Sequence, residues 1–330
     1  MRPTFLARLV NGPLFDPVVF VRLLNTSRAV LFDCGRFEGL SNREILALDA
    51  VLVTHAHMDH FMGFDRILRT ILHREEPLHV YGPEGIRDRV IARLGSYTWN
   101  LTGDYHLEIT IHEVTDHEIS VCSVSARDGF KPGETRSFRR DGTAIASRVR
   151  YTVDGVILDH NLPCLGFVLR EPFHINIRSG ALADRGYRSG PWIGELKDKL
   201  LAGNMGDEVP VATGAGSIRR KVEDLVQELV VTSPGQTVAY IADIRASDAN
   251  IGRIERIAQG VDVLYIEAYY MSDREREALE KAHLTARQAG LIARRLGARK
   301  VVPMHISPRY HHRVEEVMEE LDAAKNGAQP

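Results

Sequence analysis

Residues 51–60 read V-L-V-T-H-A-H-M-D-H, and this stretch limits what the chain can fold into more than any other. His55, His57, Asp59 and His60 follow directly on an apolar, β-branched run that reads as a buried strand. A strand ending in a turn aims His55 and His57, two residues apart, at one point, while Asp59 and His60 face a second. The spacing therefore predicts a pair of metal sites. Imidazole and carboxylate are the donors that Zn or Mn takes where a site keeps positions open for water and substrate.

The flanking sequence predicts a rigid mount for this loop. Ser41 with Glu44 three residues on is a capping-box signature, so a helix is expected over 42–48 ahead of a strand at 51–54. Phe61, Phe64, Ile67, Leu68 and Ile71 recur at helical spacing after it, predicting a helix over 61–72. Upstream, 18–24 and 29–32 read as a hairpin turning at 25–28. Downstream, a strand at 78–81 leads into a helix to about 94, and 105–124 and 144–158 read as strands joined by a polar stretch over 126–143. Residues 171–216 break the pattern with Pro172, Pro191 and Pro210. They are expected to form an inserted surface arm whose Trp192 is a candidate substrate contact. Strand–helix alternation then resumes: helix 218–230, strands 237–242 and 261–266, helices 273–282 and 285–296, strand 300–304, a last helix carrying Val314, Val317, Met318 and Leu321 inward, and a frayed tail at 326–330. Two β-rich halves that each carry helices predict an α/β fold, a four-layer αββα sandwich over 1–330 as one domain with the arm inserted.

Composition narrows the function. With 330 residues and 44% hydrophobic content the chain can bury a large core, and a formal net charge of -2 excludes a protein that coats nucleic acid by bulk charge. Arginine is locally clustered at 136–140, 219–221, 294–300 and 309–313, which leaves a local phosphate-binding face open. Cys34, Cys122 and Cys164 are odd in number and form no CxxC, pointing to a reducing compartment. No signal peptide or membrane-length apolar run is evident, so a cytoplasmic protein without membrane attachment is expected.

Three further groups stand where strands are expected to end: His160 after Val156-Ile157-Leu158, Asp243 after Tyr240-Ile241-Ala242, and His305 after Val302-Pro303-Met304. His160 would complete one metal site, His305 the other, and Asp243 would bridge them. A bridging carboxylate suits the spacing of about 3.5–4 Å in two-metal hydrolases. Between two such ions a water loses its proton near neutral pH and becomes a nucleophile, while the ions neutralise charge developing on phosphoryl oxygens.

The string His55-Ala56-His57-Met58-Asp59-His60, with the order of the later ligands, resembles the HxHxDH signature of the metallo-β-lactamase superfamily. Within it the chain most resembles the ribonuclease Z family, on residues 57–64 (H-M-D-H-F-M-G-F), on His160 followed by Leu165-Gly166-Phe167, on Ala282-His283, and on His305-Ile306-Ser307-Pro308-Arg309-Tyr310. The resemblance implies an endonuclease that removes the 3′ trailer of precursor tRNA, two zinc ions with manganese as the alternative, and a homodimer whose arm holds RNA. It also implies that Asp59 accepts or orients the water proton and that His283 is a general acid. Glu267, after the strand ending at Ile266, would orient His283, and Arg309 is the best candidate for a phosphate contact. Two features depart from the family pattern: residues 1–25 lack the Gly-Thr-Gly start and basic loop, and Asp243 stands in Ala-Asp-Ile instead of Gly-Asp-Thr. The rival readings are a hydrolase of the same fold acting on a small phosphodiester or other ester, and a non-catalytic RNA-binding or scaffold protein.

Overall fold

The computed structural model describes residues 4–24 and 26–327. The hairpin forms from Val19–Leu23 and Ala29–Phe32, with Phe20 opposite Leu31; Asn25 of its turn lies outside the described residues. Ser41 caps the helix Asn42–Leu46 with both hydrogen bonds of the capping box in place. The next strand, Leu48–Leu52, starts earlier than its apolar run because Asp49 is taken up by a bulge: Ala29 pairs with Leu48 and Val30 with Ala50. Asp49 is buried there and ion-paired with Arg28.

Among the described residues the chain forms two large sheets. Eight strands lie in chain order: Phe5–Leu9, Val19–Leu23, Ala29–Phe32, Leu48–Leu52, Leu78–Pro83, Glu108–Val114, Glu118–Ser125 and Thr135–Arg139. The six-stranded sheet runs Lys300–Met304, Val263–Glu267, Thr237–Ile241, Pro163–Arg170, Thr152–Asp159 and Ala144–Ser147. Pro303 sits in the edge strand Lys300–Met304, where its missing N–H breaks no ladder.

One face of the eight-stranded sheet is covered by helices Phe64–Ile71 and Ile86–Leu94, whose Ile67, Leu68, Val90 and Leu94 pack with Val51, Val53, Val80 and Ile111. The six-stranded sheet is covered likewise by Asp248–Ala258, Ala286–Arg295 and Val314–Asn326, through Ile254, Ile257, Ile292, Val317 and Leu321. Between the sheets, Phe32 stacks on Tyr240 with ring centroids 5.1 Å apart and tilts against Phe167 at 6.1 Å. This is the four-layer α/β order. Parallel pairing of Ala29–Phe32 with Leu48–Leu52, and of Thr237–Ile241 with Val263–Glu267 and Lys300–Met304, makes these strands end on a common edge in each sheet.

The chain divides into two compact units. The larger, Phe5–Ile145, Asp154–Val168 and residues from Val238 onward, holds the eight-stranded sheet and most of the other. The smaller comprises Thr4, Ala146–Val153 and Leu169–Thr237, a longer span than the arm expected over 171–216. It has a core of its own built from Ile175, Tyr187, Trp192, Leu196, Val211, Leu225 and Leu229. Trp192 is 3% exposed and its Nε1–H donates to Arg188 O at 2.9 Å, so this ring packs inside the unit. The helix expected over 218–230 begins only at Val222. Residues Gly216–Lys221 instead form a strand with Ile218 opposite Val211, because cross-strand pairing outweighs a helical spacing that Ile218 also satisfies. The polar stretch 126–143 contains the edge strand Thr135–Arg139, exposed at every position and so without the alternation that would reveal it. The last helix ends at Asn326 with Gly327 in the left-handed region; residues 328–330 of the expected tail lie outside the described residues.

Candidate metal centre

His55 and His57 follow the strand Leu48–Leu52, and Asp59 and His60 sit in the short helix Met58–Phe61. This loop is clamped from beneath. A Cβ at Gly35 would lie 1.8 Å from Asp59 O, so only glycine admits the approach, and Gly63 N–H donates to Cys34 O at 2.7 Å. His160, Asp243 and His305 follow the strands Thr152–Asp159, Thr237–Ile241 and Lys300–Met304.

The donor atoms converge. His55, His57, His160 and Asp243 form one group with donors mutually within 4.8 Å, and Asp59, His60 and His305 form another. Asp243 stands between them: its Oδ2 is 3.8 Å from His55 Nε2, 3.5 Å from His160 Nε2 and 3.5 Å from His60 Nε2, and its Oδ1 is 2.7 Å from His305 Nδ1. His305 Nε2 lies 3.2 Å from Asp59 Oδ2. The buried atoms His55 Nε2, His60 Nε2, Asp243 Oδ1 and His305 Nδ1 nevertheless have no hydrogen-bond partner, the 2.7 Å contact being off the line a hydrogen bond needs. Buried donors without partners, all nitrogen or carboxylate oxygen, fit a binuclear metal site.

The outward nitrogens are set by what holds the other side of each ring. His60 Nδ1 lies 2.8 Å from Asp33 Oδ2, His160 Nδ1 2.8 Å from Ala282 O and His55 Nδ1 3.1 Å from Thr54 Oγ1. Each contact takes Nδ1–H and leaves Nε2 free toward the cluster. Asp33 is the hub. Its carboxylate also accepts from Thr54 N–H at 2.7 Å, from Thr54 Oγ1 and from the Tyr240 hydroxyl at 2.9 Å, so one buried group ties both sheets to a candidate ligand. Asp33 stands directly after the hairpin strand Ala29–Phe32, and no motif announces it. Its signal was an Asp directly after a buried run, the pattern that marked Asp243.

Backbone strain concentrates here. Among the described residues six non-glycine positions have positive φ, and five of them are Asp33, Asn161, Asp243, Ala282 and His305. Such conformations cost about 1–3 kcal/mol each and persist only where surrounding contacts dictate them.

Charge couples the groups. Burial, reinforced by the neighbouring His60, pushes His55 down to about 2. Burial works against a proton on His305 as well, but the close Asp243 charge and the hydrogen bond to Asp59 outweigh it and raise His305 to about 10. Burial opposes ionisation of Asp59 too, yet the hydrogen bond from His305 holds its carboxyl below the usual range. Metal binding must displace the protons that Asp243 draws onto His60 and His305, so affinity weakens as the pH is lowered.

Glu267, His283, His305 and Asp243 form a third group. Glu267 Oε2 lies 2.8 Å from His283 Nδ1 while its other oxygen accepts Ile244 N–H at 2.6 Å. Tyr269 stacks on the His283 ring at 4.1 Å, a neighbour no motif announces. Burial lowers the His283 pKa, but the Glu267 carboxylate overrides this and the net shift is upward. Arg309 is not in these groups: both guanidinium ends bond Glu277, at 2.8 and 3.0 Å, and the ion lies over the Tyr270 ring. Several other clustered arginines are similarly neutralised, Arg219 by Glu208, Arg220 by Glu228, Arg295 by Glu255 and Arg313 by Glu316.

Fold and site together define a metal-dependent hydrolase of the β-lactamase superfamily, and the superfamily domain model matches residues 28–158 and 207–306. The chain is 32% identical over 284 residues to ribonuclease Z of Deinococcus radiodurans, covering 85% of this chain and 83% of that protein. The chain belongs to the ribonuclease Z family. Ribonuclease Z of Methanosarcina acetivorans is 26% identical, with 88% and 82% covered. The crystal structure of the short form of human tRNase Z superposes with a TM-score of 0.53 at 17% identity, covering 93% of each chain.

Proposed function

We propose that this chain is an endoribonuclease that removes the 3′ trailer of precursor tRNA, with two zinc ions held by His55, His57, His160 and Asp243 on one side and by Asp59, His60, His305 and Asp243 on the other. The observation that carries the reading is Asp243, one carboxylate facing both groups of donors: Oδ2 toward His55, His160 and His60, and Oδ1 toward His305. Two ions there would make water acidic near neutral pH and offset charge on the phosphoryl oxygens. Asp59, ionised and half-exposed, accepts the proton of the attacking water. A P–O bond forms to the water oxygen and the P–O bond to the 3′ oxygen of the tRNA body breaks. His283, held at Nδ1 by Glu267, keeps Nε2 for the proton that the leaving oxygen takes. The curated relatives named ribonuclease Z support RNA as substrate. The same reading makes the protein a cytoplasmic homodimer, for which sedimentation gives the mass, and makes the arm over 171–216 the element that contacts RNA.

The test is cleavage of a 3′-extended precursor tRNA by metal-loaded protein, beside His305→Ala and with bis(p-nitrophenyl) phosphate as a parallel substrate. A single cut at the boundary of the tRNA body, lost in the variant, is expected. Cleavage of the small diester alone would leave the metal chemistry standing and remove tRNA as substrate.

A further inference from the structure

An apolar strip borders the metal centre and has no role in holding it. Met58 and Met62 are one helical turn apart, with Met62 N–H donating to Met58 O at 2.9 Å, so both side chains lie on one face of the ligand-bearing helix. They are 76% and 40% exposed, while His60 and Phe61 between them are buried. Met58 stands between His57 and Asp59, two of the candidate ligands.

A second apolar group is brought to the same loop by the connection after Phe5–Leu9. Ile306 N–H, next to His305, donates to Pro13 O at 2.8 Å. On the other side Asp16 accepts Arg36 N–H at 2.7 Å, and its Cβ lies 2.7 Å from where a Cβ on Gly35 would stand, beside Asp59 O. Asn11 ties Asp16 O to Arg36 O through one amide, at 2.8 Å each. Residues 13–16 are therefore pinned at both ends next to metal-ligand loops. Leu14 packs on the core beneath, and Phe15 between the pins is 66% exposed. Placing a large apolar ring in water on a braced loop costs stability and gains nothing from folding.

We infer that Phe15, Met58 and Met62 form a platform for the nucleobase of the RNA nucleotide that flanks the scissile phosphate. The inference rests on the phosphodiesterase reading above. A phosphate held by these ligands would carry its adjoining base beside Met58, which stands between His57 and Asp59. Aromatic rings and thioethers both bind π-faces, and aromatic stacking accepts any base, because every base has such a face. The three side chains offer no strong hydrogen-bond donor or acceptor for a base edge. The platform therefore grips a base without reading its identity, and favours purines over pyrimidines by area.

The test is methyl NMR of metal-loaded protein carrying carbon-13 in its methionine methyl groups, titrated with adenosine 5′-monophosphate and, separately, with ribose 5-phosphate. Ring-current shifts of the Met58 and Met62 methyls with the nucleotide and not with the sugar phosphate are expected. Phe15→Ala and Met58→Ala, both at exposed positions, should weaken nucleotide binding relative to ribose 5-phosphate roughly tenfold, and Phe15→Trp should restore it. Equal shifts with both ligands, no shift with either, or an unchanged affinity ratio in both alanine variants would overturn the inference. Precursor RNA turnover by the unmodified protein reports on the phosphodiesterase assignment separately, so base-dependent shifts without RNA cleavage would leave the platform standing and remove that assignment.

Discussion

The rim of strand ends in the larger unit and the inserted smaller unit solve opposite problems. At the rim, Asp33, His55, His60, Asp243 and Glu267 are almost fully buried, mostly locked by contacts from several elements, with the backbone at Asp33 and Asp243 held in the left-handed region. In the smaller unit the hairpin of Glu208–Thr213 and Gly216–Lys221 points most of its side chains outward, pairs Arg219 with Glu208, and rests on a small apolar core. The candidate metal ligands occupy the place where strands end and many contacts converge; the smaller unit has a core of its own. The contrast teaches that geometry at the rim is set cooperatively by contacts from several elements, whereas the smaller unit rests on an apolar core of its own.

The strongest attempt to break this comparison is Asp243→Ala. With the shared carboxylate gone, both donor groups lose a member, so metal content should fall from two ions per chain to below one and kcat/KM by about three orders of magnitude. Elemental analysis and diester turnover read the two losses, and full metal content in the variant would refute the shared role. Asp33→Asn acts one step further out: it keeps shape but weakens the hold on His60 Nδ1, and should lower metal affinity about 10–100-fold in a chelator competition. Glu267→Gln sharpens the assignment of His283. Glu267 raises the His283 pKa, so its protonated form persists to higher pH; neutralising the partner lowers that pKa, and the alkaline fall of the pH–kcat profile should move toward acid. A profile that merely scales down at every pH would assign Glu267 a structural role. Trp192→Ala has the smallest expected effect on chemistry. It removes a buried ring at about 3–5 kcal/mol and should loosen the smaller unit, seen as faster amide exchange over 169–237, with metal content equal to that of the unmodified protein.

The ligand strip at 55–60 is legible in sequence because a strand and a tight turn place contiguous residues at predictable points. His160, Asp243 and His305 are legible one level less directly, as polar residues that each terminate an apolar run. Asp33 follows the same rule but lies 21 residues before its partner Thr54, and nothing local distinguishes it from a turn Asp. Tyr269 and the Ala282 carbonyl enter the site through tertiary packing alone. The layer order follows from periodicity. Among the strands that periodicity misses, Thr135–Arg139 and Gly216–Lys221 are largely exposed, so no apolar alternation is required of them, whereas Pro163–Arg170 is buried along nearly its whole length and so shows no alternation either.

The Asp33 carboxylate, bonded to Thr54 on one sheet and to Tyr240 on the other while it holds the His60 ring, works as a keystone. If one sheet slid over the other by a fraction of a bond length, the imidazole would turn with it. Around Asp33, between the sheets, there is therefore no quiet interior in which mutations tune thermal stability alone. A substitution between the sheets, such as at Phe32 or Phe167, is also an adjustment to the aim of a ligand, and heat tolerance and reactivity in this chain should drift together under selection.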